Sequence, residues 1–344
     1  MPSAVATRDH HPSKIGRSRS KPARTAAPIE SVTIPKNEKT VELPIAGRTV
    51  TLTNLGKPFW PELGITKGDL IQYYADVAPV LLPHLRDRAM VMKRYPHGAH
   101  GEFFFMKRAP TPRPEWIQTC SIEHESENII DFPMIQDLPS LLWCVNLGCI
   151  DLNPWYARCD DVDRPDYLHF DLDPVSPVKG GKSVPFARVL EVALILREAL
   201  DHLGMPSYPK TTGSRGIHVY VPIVRGPTQK QVWTFAKAFA QTMAKQATAI
   251  ITAEYKIAKR PQGRVLVDYN QNAWGRTLSS VYSVRPKPLA PVSMPVTWKE
   301  IEKGITIEQF TLVNARQRIK KVGDLWTPLL PDQKPRVDLM KVMT

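Results

Sequence analysis

Apolar and polar positions alternate most clearly over Tyr167-Leu168-His169-Phe170-Asp171-Leu172-Asp173-Pro174. As a β-strand, this stretch sends Leu168, Phe170 and Leu172 to one face, toward a core. His169, Asp171 and Asp173 go to the other face. Pro174 cannot continue a hydrogen-bond ladder, so the strand is expected to end where the second acid emerges. Similar patterns predict strands over 48–53, 89–94, 217–222 and 264–269, with 101–106 as the hairpin partner of 89–94. Ordered chain is expected to begin at 48–53. Thr66-Lys67-Gly68-Asp69 has the form of a capping box and opens a helix whose apolar stripe is Leu70, Ile71, Tyr74, Val77 and Ala78. Ser183 starts a second helix, closed by Gly204. Thr228 and Gln231 cap a third, running to about Thr248. The proline-rich stretch 286–295 reads as a loop before short helices. Strands and helices mix without a strict βαβ repeat, so the fold class is α+β.

Charge adds a partner class to this picture. The 344 residues carry 46 Lys+Arg against 33 Asp+Glu, a net charge of +13. That excess is the electrostatic footprint of a nucleic-acid binder. Residues 1–42 show no periodicity and are rich in Pro, Ser, Ala and Arg. They are expected to be a disordered basic tail, which either holds DNA non-specifically or is simply solvated. The cysteines Cys120, Cys144, Cys149 and Cys159 form no C-x-x-C pair and are expected to be reduced, mostly buried thiols. No membrane-length apolar run and no signal peptide are recognised, which implies a cytoplasmic protein.

The chemistry is concentrated in three strands. Asp171 and Asp173, roughly 6–7 Å apart at Cα on one strand face, can converge on one or two hard cations. Buried acids of this kind are costly unless a cation holds them. Gly213-Ser214-Arg215-Gly216 is a turn offering backbone N–H groups, a hydroxyl and a guanidinium, a candidate phosphate cradle that leads into the strand carrying His218. Asp268 is a third acid at the end of an apolar strand. Three such carboxylates could hold two divalent ions about 3.5–4 Å apart, the arrangement that clamps an in-line phosphoryl displacement. Mn²⁺ or Mg²⁺ suits all-oxygen ligands.

Together, Asp171-Leu172-Asp173, Ser214-Arg215-Gly216-Ile217-His218 and Asp268 resemble the three motifs of the archaeo-eukaryotic primase superfamily. Thr53-Asn54-Leu55-Gly56-Lys57, Met92-Lys93-Arg94-Tyr95-Pro96, Phe103-Phe104-Phe105 and Pro295-Val296-Thr297-Trp298 sharpen the resemblance to the polymerase domain of bacterial DNA ligase D. It implies a primase-type core over 43–310, with an RRM-like antiparallel sheet module packed on an N-terminal αβ module, and a C-terminal extension over 311–344. It implies a DNA-dependent nucleotidyltransferase, or primase-polymerase, that fills short gaps or break ends and favours ribonucleotides, with two Mn²⁺ or Mg²⁺ ions and an NTP or dNTP substrate. Asp171, Asp173 and Asp268 become the metal-binding catalytic acids. Ser214, Arg215, His218, Lys93, Asn153 and Arg285 become the nucleotide contacts. Asn54, Lys57 and Lys67 grip the 5′-phosphate of a gapped or broken duplex, and Phe104 and Phe105 stack on template bases, with one of Phe103–Phe105 facing inward. Two positions depart from the family: Asn153 stands where a His is usual, and Arg215 where Lys is common. No K-x-D-G nucleotidyl-lysine motif is present, so the chain reads as a stand-alone, nucleoid-associated monomeric polymerase, serving either end joining with Ku and a separate ligase or short-gap filling in excision repair. A non-catalytic DNA-end-binding module and a metal-dependent phosphoesterase are the competing readings.

Overall fold

The computed structural model describes residues 31–36, 38–123, 128–175 and 183–344. Ordered chain begins earlier than the pattern suggested. Strand β1 (Thr40–Ile45) pairs with β2 (Arg48–Thr53), and Ile34 already lies in the core. Their turn, Ala46-Gly47, has φ of 49° and 74°, the left-handed pair that a two-residue hairpin requires. Most of the segment expected to be tail, residues 1–30, lies outside the described residues. The short strands β3 (Pro58–Trp60) and β4 (Ile65–Thr66) lead into α1 (Lys67–Leu85). Its capping box forms as expected: Thr66 Oγ1 accepts from the Asp69 N–H, and the Asp69 carboxylate accepts from the Thr66 N–H. The expected stripe from Leu70 to Ala78 is buried.

The N-terminal αβ module is centred on β5 (Met90–Arg94), which lies between β6 (Phe104–Met106) and β9 (Cys149–Pro154). The hairpin β7 (Thr119–Glu123) and β8 (Ile129–Pro133), and helix α2 (Leu138–Asn146), intervene in sequence. Beside this hairpin, Cys120 is disulfide-bonded to Cys159, which corrects the expectation of four free thiols. Cys144 and Cys149 are free and buried, as expected. The pair could not be read from spacing, because 39 residues separate the two cysteines and the fold alone brings them together.

After the small ribbon β10 (Ala157–Arg158) and β11 (Asp161–Pro165) comes β12 (Tyr167–Pro174), the central strand of a five-stranded sheet. The rest of this module is α3 (Phe186–His202), β13 (Tyr208–Thr211), β14 (Ile217–Pro222), α4 (Gln229–Gln246), β15 (Ile251–Thr252) and β16 (Val265–Asp268). The five strands run β13-β14-β12-β16-β15, antiparallel except for the parallel β15–β16 pair at one edge. Leu168, Phe170 and Leu172 are fully buried on the face covered by α3 and α4, where Phe170 meets Phe239 with ring centroids 5.2 Å apart. Helix α3 begins at Phe186, not Ser183: Pro185 takes the cap position with no side-chain hydrogen bond. Gly204 closes it with φ 64°, and Thr228 and Gln231 cap α4 reciprocally, both as expected.

The C-terminal segment contains α5 (Trp298–Lys303), α6 (Ala315–Val322) and α7 (Leu339–Val342). Phe310, Leu312, Trp326, Leu329 and Leu339 belong to the same core as the five-stranded sheet, so this segment packs as part of the body. A buried ion cluster joins the two modules. Asp166, at the mouth of β12, accepts from Arg88 Nη2 at 2.6 and 2.8 Å and from Arg158 Nε at 2.8 Å. Among the described residues no helix is long and apolar enough to cross a membrane.

Candidate active site

Antiparallel pairing sets three candidate side chains abreast. Asp171 on β12 is opposite His218 on β14 and opposite Asp268 on β16. Directly opposed residues on one sheet face have Cβ atoms about 4.5–5.5 Å apart, so the row is compact. His218 Nε2 lies 3.2 Å from Asp171 Oδ1 but lacks hydrogen-bond alignment, and Oδ1 is a buried oxygen without a hydrogen-bond partner. Burial, with the nearby Asp268 charge, pushes the Asp171 carboxyl up to about 7. Burial and the Asp171 charge push Asp173 up to about 7 as well, against the pull of Arg215.

Asp268 differs from its two neighbours. Its Oδ1 accepts from the Asn270 N–H at 2.7 Å and its Oδ2 from Gln271 Nε2 at 3.2 Å. Among the described residues no three acids or histidines are gathered as a ready-made metal cluster. Asp171 and Asp173 nonetheless suit a hard divalent cation. An orphaned, buried carboxylate oxygen beside a second raised carboxyl is a site where a cation's charge replaces held protons.

The turn after β13 presses on these acids. A Cβ on Gly216 would collide with the Leu172 carbonyl and come within 2.8 Å of Asp173 Oδ1. A Cβ on Gly213 would sit 2.6 Å from Arg285 Cγ, and its φ is +64°. Only glycine allows the turn to lie this close. The expected cradle of free N–H groups is corrected in part. The N–H groups of Ser214 and Gly216 both donate to Thr212 Oγ1 at 3.1 Å, so the Thr212 hydroxyl organises the turn. The charge comes from side chains: exposed Arg215 at the tip, and Arg285, whose Nη1 donates to the Thr212 carbonyl at 2.6 Å.

The N-terminal module supplies the opposite wall. Asp151 on β9 is buried with Oδ2 3.5 Å from Arg285 Nε and 3.8 Å from Lys93 Nζ. Burial raises its carboxyl, and the Arg285 and Lys93 charges oppose that rise. Asn153, two residues on, donates to the Asp151 carbonyl at 3.1 Å. Lys93 Nζ lies 4.1 Å from the Phe103 ring centroid, and burial lowers its ammonium.

A second cationic site lies at the N-terminal end. Asn54 and Lys57 line a cleft of about 410 Å³ together with Lys36, Lys39 and Gly56. Lys67 sits behind it, 5% exposed, donating to the Thr53 carbonyl at 2.6 Å and Asn146 Oδ1 at 2.7 Å. Burial, with the charges of Lys57 and Arg94, lowers its ammonium to about 8. Phe103, Phe104 and Phe105 are 50%, 43% and 60% exposed, so none of the three faces inward. Strand alternation splits them: Phe105 pairs with Lys93, and Phe104 lies 5.3 Å from the Arg94 guanidinium.

The sequence signature of the LigD primase-polymerase domain matches residues 66–326, three quarters of the chain. The chain belongs to the LigD primase-polymerase family. It is 30% identical over 285 residues to the multifunctional non-homologous end joining protein LigD of Mycolicibacterium smegmatis, covering 82% of this chain and 36% of that protein. It is 31% identical over 272 residues to the bifunctional non-homologous end joining protein LigD of Bacillus subtilis, covering 79% of this chain and 42% of that protein. The chain therefore spans well under half the length of these curated relatives. Its fold matches the polymerase domain of Mycobacterium tuberculosis ligase D, solved in complex with DNA, with a TM-score of 0.75 and 30% identity over 83% of this chain and 99% of that one.

Within this LigD-family site, sequence reasoning missed Asp151, Thr212 and above all Lys210. Lys210 on β13 is fully buried and lies opposite His218. Its Nζ bonds His218 Nδ1 at 2.8 Å, the Ser279 carbonyl at 3.0 Å and Ser293 Oγ. A signal was present. Counting the hairpin register back from the glycine turn puts Lys210 across from His218, on the face that carries the acids. His169 lies on that same face, as expected, buried in a ring cluster and stacked on Tyr220 with centroids 5.0 Å apart.

Proposed function

We propose that this chain is a DNA-dependent nucleotidyltransferase that extends a 3′-hydroxyl across short gaps or break ends in DNA repair. The observation that carries the reading is the carboxyl pair Asp171–Asp173, both raised by burial and with Asp171 Oδ1 lacking a hydrogen-bond partner, lying against a glycine turn flanked by Arg215 and Arg285. The fold it occurs in is shared with a polymerase domain solved in complex with DNA. Phosphoryl transfer asks little covalent chemistry of a protein; it needs positioning and charge. Asp171, Asp173 and Asp268 would hold Mn²⁺ or Mg²⁺, which when bound activates the attacking hydroxyl and offsets charge on the leaving pyrophosphate. Ser214, Arg215, His218 and Arg285 then bind the triphosphate of an NTP or dNTP, with ribonucleotides preferred. Asp151 keeps Lys93 and Arg285 in place until the nucleotide arrives, and Asn153 borders that wall as a neutral amide. Phe104 and Phe105 offer stacking faces to the template, worth about 1–3 kcal/mol per base. Ku and a DNA ligase activity are the partners such a polymerase would work with.

Lys57, Lys67 and Asn54 read the 5′-phosphate downstream of the gap. Charge-assisted contacts of this kind are worth about 1.5–3 kcal/mol. Lys67→Ala is therefore expected to weaken binding to a 5′-phosphorylated gap roughly tenfold or more, and to leave a 5′-hydroxyl gap unaffected. Because burial lowers the free Lys67 ammonium to about 8 and the phosphate takes up a proton below about 6, the phosphate-dependent gain in affinity is largest between those values and declines above the upper one. Fluorescence anisotropy with the two duplexes at several pH values measures both effects. Equal loss on the two duplexes would remove Lys67 from this role. The activity itself is tested by adding nucleotides and Mn²⁺ to a gapped duplex with a labelled primer. A longer primer supports transfer. A shortened one indicates a phosphoesterase, and an unchanged one a binding module.

A further inference from the structure

The N-terminal cleft holds two lysines to which the 5′-phosphate reading gives no task. Lys36 and Lys39 line it beside Asn54 and Lys57. Both fall within residues 1–42, which the sequence pattern reads as tail. Both also precede Thr53–Lys57, the earliest motif of the family resemblance. The structure docks this stretch on the body. Gln72 of α1 accepts from the Ile34 N–H at 2.7 Å and donates to the Val32 carbonyl at 3.0 Å. One side-chain amide thus satisfies two backbone groups of the segment. The Ile34 side chain is buried in the core. Further on, the Lys39 carbonyl accepts from the Leu55 N–H at 3.3 Å, next to Asn54. The backbone that carries Lys36 and Lys39 is therefore anchored on both sides of them.

Charge separates these two from the other lysines of the cleft. A terminal phosphate carries about −1.5 to −2 near neutral pH, which Lys57 and Lys67 together match. Lys39 is exposed. Lys36 reaches Asp69 at 3.4 Å, but its side chain is 81% exposed. An ion pair so open to water contributes little and yields to a phosphate. Glu38 also lines the cleft and opposes an anion, against the three lysines that line it too. At about 410 Å³, against roughly 30 Å³ for one water, the cleft has room for a terminal phosphate and the link to the next nucleotide.

We propose that Lys36 and Lys39 hold the first internucleotide phosphate of the downstream strand, so that the cleft reads a 5′-phosphate together with the phosphodiester beside it. The inference rests on the reading of Asn54, Lys57 and Lys67 as the 5′-phosphate site. Phosphate contacts carry register, not sequence. Two phosphates held side by side fix where the downstream strand begins, and with it the far boundary of the gap.

The test is fluorescence anisotropy of the full chain on gapped duplexes with a downstream 5′-phosphate. One duplex is natural. A second carries an uncharged methylphosphonate at the first downstream linkage, and a third carries it at the fourth. The unaltered protein is expected to bind the second about tenfold more weakly than the first, and the third as well as the first. The Lys36→Gln, Lys39→Gln variant is expected to bind the natural duplex about tenfold more weakly than its parent and to treat all three alike. Equal binding of the first two duplexes by the parent would overturn the proposal. So would an equal loss at both modified positions, which is the mark of diffuse charge attraction, or a variant that still discriminates as its parent does. The unaltered protein gives the first two of these results whether or not the variant folds. A fourth duplex, natural but with a 5′-hydroxyl, separates the two readings. If the parent binds it as well as the natural one while the linkage effect persists, the terminal-phosphate reading falls and the contact to the linkage stands.

Discussion

Replacing both Asp171 and Asp173 with alanine is expected to abolish primer extension while leaving the protein at least as stable as its parent. The loss follows from the role of the pair. Cation-mediated charge stabilisation is worth several kcal/mol, and about 4 kcal/mol corresponds to about a thousandfold in rate. The gain follows from electrostatics. Both carboxyls are raised to about 7 in the fold, so the folded chain holds their protons more tightly than the unfolded chain does. Such groups cost stability as pH rises from the unfolded value near 4 toward 7, and the full cost is present above 7. Removing them relieves on the order of a few kcal/mol in metal-free buffer. Thermal melts at pH 8 with and without Mn²⁺ measure this. The parent is expected to gain stability on adding Mn²⁺, and the double variant to gain none. A variant that melts well below the parent without metal would mean that the acids serve the fold rather than the site.

The second large effect lies away from the site. Asp166→Ala leaves Arg88, 1% exposed, and Arg158 without their shared carboxylate. Breaking a buried pair by removing one partner costs about 3–5 kcal/mol, because the remaining charge has no solvent to turn to. At this chain length that lowers the melting temperature by roughly 5–10 °C. The Arg88 and Arg158 charges hold the Asp166 carboxyl down at about 2 against its burial. A depressed acid contributes stability that is present above the unfolded value near 4 and is lost as pH falls through 2, about 2 kcal/mol in all. The parent should therefore lose stability more steeply with acid than Asp166→Ala does. Parallel pH dependences of the two melting curves would show that the cluster is not the acid-sensitive joint between the modules.

The site was legible where it depended on strand periodicity. Alternation along β12 placed Asp171 and Asp173 on one face, and the same rule applied to β14 and β16 supplied His218 and Asp268. Resemblance then named a function that spacing alone left open. Elements with weak apolar signals were harder to read. β1 was missed because only Ile45 of its six residues is buried, and the start of α3 slipped because Ser183 is the better cap residue by composition. Lys210 was passed over because a lysine in a strand reads as solvent-facing, whereas this one makes three hydrogen bonds in the interior. Buried ion clusters and the Cys120–Cys159 bond depend on contacts between distant segments, which no local pattern encodes. The glycine turn was expected to be a phosphate cradle with free N–H groups, but its organiser, the Thr212 hydroxyl, shows only in three dimensions.

The most direct measurement is a denaturing gel of a labelled primer on a gapped duplex carrying a downstream 5′-phosphate, incubated with nucleoside triphosphates and Mn²⁺. Parent and Asp171→Ala, Asp173→Ala proteins are run side by side. The account predicts that the parent lengthens the primer by the number of gap positions and the double variant leaves it unchanged. Equal extension by both, or no extension by the parent, would contradict it.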